Sequence, residues 1–101
     1  MDFKFIGWCK EGSHDKVWVS FATEGNVYCA WGRRGGKLSF KCHGKDTVWS
    51  TARHNINLLK QAKIKKGYKE VDEFVLFTLF PDFKERVEDE LLMSQLGGKV
   101  K

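Results

Sequence analysis

Trp31, Gly32 and Arg33 stand inside a stretch where cations far outnumber anions. Residues 25 to 69 hold eleven lysines and arginines against one acid, Asp46, although the whole chain carries a net charge of only +5. The remainder is therefore net negative, with seven acids after residue 70. A basic middle of this kind attracts a polyanion, while the acidic tail does not. Binding a nucleic acid needs cations that neutralise phosphate and a flat side chain that stacks where a base or sugar lies open. Arg33, Arg34, Lys37, Lys41, Lys45 and Arg53 supply the first, and Trp31, Tyr28 or Trp18 the second. Two arrangements remain open for Trp31: presentation to solvent, or packing against Phe40. A fully buried arginine without an anionic partner is costly. Arg33 therefore either reaches outward from a rim or pairs internally.

Other chemistries fit less well. Cys29, Cys42 and His43, with Cys9 or His54, are conceivable zinc ligands, but no Cys-x-x-Cys pair is present and no metal site is expected. No spacing joins His14 or His54 to a nucleophile and an orienting partner, so catalysis is the poorest reading and no catalytic residue is assigned. No small-molecule cofactor is implied. Three cysteines at scattered spacings do not read as a secreted disulfide framework. The N-terminal MDFKFIGW lacks a signal-peptide pattern, and no apolar run reaches bilayer length. These features point to a chain with no membrane partner in a reducing cytoplasm.

The elements that must position these residues follow from periodicity. Alternation with a period of two marks strands at 3–10, 16–23, 26–34 and 37–42, with Glu24-Gly25 as a turn. Gly35-Gly36 suits a two-residue hairpin loop, because glycine accepts the positive φ angles such a loop demands. That loop would set Trp31 opposite Phe40, Arg33 opposite Leu38 and Cys29 opposite Cys42, where a disulfide would need an oxidising compartment. One face of the ribbon would then be largely apolar. The other would carry Tyr28, Ala30, Arg34, Lys37, Ser39 and Lys41. A slip of one residue would exchange the faces.

From Asp46 to about Lys65 the period lengthens, with Trp49, Ala52, Ile56, Leu59 and Lys63 on one stripe. Asp46 or Thr47 serves as N-cap and Gly67 ends the helix. Tyr68 to Val71 suits a further strand. The run Phe74 to Phe80 must be buried or paired. Pro81 opens a final helix with Phe80, Phe83, Val87 and Leu91 on one stripe, and Gly97-Gly98 closes it. The expected architecture is α+β: an antiparallel sheet of about four to five strands, one main helix packed on it and a C-terminal helix.

An ordered set of residues carries a family resemblance. An aromatic first strand is followed by Asp15-Lys16 with Trp18, an EGN turn, Tyr-x-x-Trp-Gly-Arg from Tyr28 to Arg33, a helix, and Lys-Gly-Tyr-Lys-Glu-Val from Lys66 to Val71. Over about Phe3 to Val71 the chain resembles the WGR domain, the module of poly(ADP-ribose) polymerases that contacts DNA breaks beside a separate catalytic domain. The short Gly35-Gly36 segment flanked by Arg34 and Lys37 departs from the longer loop common in that family. The resemblance implies that Trp31 packs against a terminal sugar or base and that Arg33 bridges to phosphate or to a partner domain. It divides the chain into a WGR-like domain, 1–71, and an apolar segment with an amphipathic helix, 72–101. DNA is the expected partner, with RNA second. The alternative is a protein adaptor, or a homodimer through the C-terminal helix.

Overall fold

Five strands form one antiparallel sheet in the order β4-β3-β2-β1-β5. They are β1 (Asp2–Glu11), β2 (His14–Thr23), β3 (Asn26–Arg33), β4 (Ser39–Lys45) and β5 (Lys69–Glu70). Helix α1 (Thr51–Lys65) precedes β5, while α2 (Glu73–Leu79) and α3 (Phe83–Val100) follow it. This computed structural model describes the backbone over residues 1–45 and 51–100, and side chains over 1–44 and 56–93. The Asp46 or Thr47 cap and Trp49 lie outside the described residues.

The α+β architecture agrees with the sequence, but helices cover both faces of the sheet rather than one. Ile56 of α1 packs with Phe5, Cys9, Trp18, Ala22, Val27, Cys29 and Tyr68 on one side. Leu76 and Leu79 of α2, Phe80, and Phe83 and Val87 of α3 pack with Ile6, Val17, Val19, Phe21 and Ala30 on the other. The central strand β2 is thus enclosed, and Val17 through Ala22 are all buried. A strand covered on both sides has no solvent face to mark with polar residues.

The Phe74–Phe80 run is resolved as a helix capped by Asp72, whose carboxylate accepts from the Val75 N–H at 3.1 Å. Helical geometry turns Leu76 and Leu79 inward and leaves Phe74 78% exposed. Pro81 and Asp82 form a turn ahead of α3, which begins at Phe83 and continues through Gly97 and Gly98 rather than ending there. Val71 extends the β5 pairing, its N–H donating to the Ile6 carbonyl at 2.8 Å.

The β3–β4 hairpin departs from expectation by one residue. Trp31 pairs with Ser39, Ala30 with Phe40, Cys29 with Lys41 and Tyr28 with Cys42. The tight turn lies at Arg33–Gly36, where the Gly36 N–H donates to the Arg33 carbonyl at 2.9 Å. Ladder pairing resumes only at Ser39, so no two-residue loop exists. The slip sends Leu38 and Phe40 to the α2–α3 side, while Ser39 and Lys41 join Cys29 and Trp31 on the α1 side. Cys29 and Cys42 then face opposite layers, which removes the geometry for a cross-strand disulfide.

Gly32 explains how the chain reaches this register. A β-carbon there would overlap the Lys37 carbonyl oxygen and crowd Leu38 Cδ2 at 3.2 Å. The returning backbone therefore crosses directly over position 32. Gly32→Ala is expected to destabilise the fold by about 1–3 kcal/mol through this overpacking, read as a lower urea midpoint with an unchanged slope.

Candidate nucleic-acid interface

The α1 side of the sheet gathers cations around aromatic rings. Trp18 and Trp31 are direct partners across β2–β3, as are Lys16 and Arg33. Trp18 is sealed beneath α1, 3% exposed, whereas Trp31 sits toward the sheet's margin and is 38% exposed. Of the two arrangements open for Trp31, the structure adopts the solvent-facing one, because its partner is Ser39 and not Phe40. Arg33 is exposed and Lys41 stands two residues along β4 from Ser39, on the same side.

The end of α1 supplies further cations. Gly67, at φ 99°, allows a paired closing motif. Within it the Tyr68 N–H donates to the Lys63 carbonyl and the Gly67 N–H to the Ile64 carbonyl, both at 3.1 Å. The motif turns Tyr68 into the core and holds Lys63 over it. Lys63 Nζ lies 5.7 Å from the Tyr68 ring centre and 5.9 Å from that of Trp18, and Lys16 Nζ lies 5.9 Å from Tyr68. These are cation–π distances. Burial, aided by the charges of Lys66 and Lys16, pushes the Lys63 ammonium below its ordinary pKa. Among the described residues, no ion pair engages Lys16, Arg33, Lys41, Lys63 or Lys66.

Other expected site residues lie elsewhere. Arg34 reaches Asp15 at 3.4 Å and lies over the Trp8 ring at 5.7 Å. The Trp8 indole donates to the same carboxylate at 2.8 Å, and the Arg34 N–H donates to the Asp15 carbonyl at 3.0 Å. Asp15 thus ties the β1–β2 hairpin to the turn after β3, and Arg34 belongs to that tie. Lys37 lines a groove beside α3, whose walls also include Asp89 and Glu90. Lys45 ends β4 and Arg53 lies in α1, but their side chains fall outside the described residues.

Trp31, Arg33 and Lys41 are therefore brought together, with Lys16, Lys63 and Lys66 added. Lys16 lies outside the basic block, yet it stands two residues before Trp18 on a strand and so shares its face. Lys63 occupies a position on the apolar stripe of α1, where a lysine must run its stem along the core and lift its ammonium out. Both signals were present in the spacing.

Nearby thiols are quiet. Burial pushes the Cys29 thiol up to about 12 despite the opposing pull of Lys41 and Lys63. Cys9 is also buried, while Cys42 is exposed. No family model matches this chain, and neither a curated protein nor a solved structure is similar enough to count as a match.

Two measurements check this geometry. A thiol reagent at neutral pH should label Cys42 quickly and leave Cys9 and Cys29 unreacted until the protein is unfolded, because burial shields both sulfurs from the reagent. Trp18→Ala should cost about 3–5 kcal/mol in unfolding free energy, whereas Trp31→Ala should cost less than about 1 kcal/mol.

Proposed function

We propose that the chain is a non-catalytic nucleic-acid-binding module of the WGR kind, acting through the α1 side of its sheet. The observation that carries this reading is the solvent-facing Trp31 indole beside five cations that lack anionic partners among the described residues. The ordered resemblance around Trp31-Gly32-Arg33 supports it further. In this reading Arg33, Lys41, Lys16, Lys63 and Lys66 take the place of phosphate counterions. The Trp31 indole stacks on a sugar or base exposed at a strand end. Stacking contributes about 1–3 kcal/mol, enough to favour an end over a continuous duplex. Arg34 contributes little, since Asp15 already attends it, and so does Lys37, which lines a groove with α3 residues away from the α1 side. DNA is the favoured partner and RNA the second, and a cytoplasmic setting remains part of the proposal. Among the described residues, no helix is long and apolar enough to cross a membrane.

The adaptor reading has less support. Phe80, Phe83 and Val87, the stripe it would use, are already buried on the chain's own sheet. Leu92 and Met93 are the exposed apolar residues of α3 among those described.

Anisotropy titrations of blunt, nicked and single-stranded DNA at two salt concentrations test the proposal. Binding should weaken with salt at a log–log slope of roughly −4, as expected when about five phosphates are neutralised. Trp31→Ala should reduce affinity for ends about tenfold while leaving that slope unchanged, since stacking releases no counterions. Arg33→Gln with Lys41→Gln should flatten the slope. Absence of binding to all three DNAs at low salt would remove the proposal.

A further inference from the structure

Strand β4 closes the sheet on one side, and a groove of about 690 Å³ runs between it and α3. Leu38 and Phe40 form the sheet wall of the groove, and Asp89, Glu90 and Met93 the helix wall. Among the described residues no part of β3 lines it, so it lies along the outer side of the strand. We propose that this edge receives an extended peptide of a partner protein, added to β4 as a further strand and alternating acidic with apolar residues. The inference goes beyond the nucleic-acid reading and does not depend on it. Its surface also differs from the α3 stripe that is buried on the sheet.

The backbone selects an extended occupant. Alternate N–H and C=O groups of an edge strand point away from the sheet, and among the described residues those of Ser39 to Cys42 meet no backbone beyond β3. An added strand satisfies them in register, which a helix cannot do. The receptive stretch ends at His43, an extra residue between the Tyr28–Cys42 and Val27–Gly44 pairs, because a bulge twists an edge away from further pairing. Side chains then select the sequence. On the α1 side of β4, Lys41 is exposed and has no ion pair among the described residues, so an acid beside it makes a favourable cross-strand pair. On the other side, half-buried Leu38 and Phe40 and the 66% exposed Met93 offer apolar surface to the next side chain. Charges lining the groove balance, Lys37 and Arg86 against Asp89 and Glu90, so its apolar wall decides what it accepts. Arg86 is in any case held by Asp82 and the Gly36 carbonyl. A second copy of the chain fits poorly. Strand β4 holds Lys41 and Lys45 and no acid, so pairing it with itself sets cation against cation.

The probe is a fluorescent peptide of about eight residues alternating Glu and Val, titrated into the full chain and followed by anisotropy. Saturable binding is expected, and a peptide of the same composition with its Glu and Val in separate blocks should bind more weakly. K41E should weaken the Glu–Val peptide about fivefold and strengthen a peptide alternating Lys and Val. Opposite shifts in one variant cannot come from a damaged fold. M93N, an uncharged change at an exposed position, should also weaken the Glu–Val peptide. Hydrogen exchange reads the backbone: the peptide should slow exchange at alternate amides between Ser39 and Cys42, those facing away from β3. No binding, equal binding of the blocked peptide, or no slowing at those amides overturns the proposal. Protection of the same amides without peptide, together with a dimer in sedimentation, assigns the edge to a second copy and overturns it as well.

Discussion

The Lys37 carbonyl crosses the backbone at Gly32 too closely for any side chain to fit there, and this approach governs how β4 returns along β3. The returning strand enters the ladder at Ser39, one residue out of step with a hairpin closed on Gly35-Gly36. Side chains on a strand alternate, so that single step decides the neighbours of every residue on β4. Phe40 and Leu38 turn to the layer that holds α2 and α3, and Trp31 is left beside a serine. The Asp15 carboxylate fixes the near end of the same turn by engaging both Arg34 and Trp8. A short-range steric contact thus produces the surface on which the proposed binding depends.

Enclosure of the sheet separates the charges. Layer α1 carries the lysines, and α3 on the other side carries Glu85, Glu88, Asp89 and Glu90. The sheet stands between these layers, and charges further apart than the Debye length of about 8 Å at physiological salt are largely screened from one another. The acids therefore do little to neutralise the α1 side. Compensation has to come from close neighbours, and among the described residues around Lys16, Lys63 and Lys66 the one carboxylate is Glu11. The net charge of +5 is thus divided unevenly between the two sides of the sheet.

Much of the fold was legible because its signals are local. Alternation located the first three strands, the period near 3.6 located α1, and Gly67 marked its end. Less legible was anything set by contact between distant segments. Gly35-Gly36 looked like a hairpin loop because glycine permits that turn, but the actual constraint lies at Gly32 and is imposed by a carbonyl five residues away. The run 74–80, six apolar residues and Thr78, fits several burials, and the Asp72 cap favours a helix. At the proposed interface, Arg33, Lys41 and Arg34 carry the same charge signal near Trp31, but charge density alone gives no hint that the Arg34 guanidinium lies 3.4 Å from Asp15.

The Trp-Gly-Arg tripeptide combines two unlike demands. Its glycine answers to packing, because no other residue lets the Lys37 carbonyl pass. Its outer residues are turned toward solvent: Arg33 has no ion pair among the described residues, and Trp31 is 38% exposed where Trp18, its partner across the strand, is 3% exposed. Trp31 thereby forfeits part of the hydrophobic stabilisation that full burial gives. The tripeptide is therefore a steric hinge point flanked by two side chains turned outward. In the proposed function those two side chains, with the lysines around them, meet an anionic ligand.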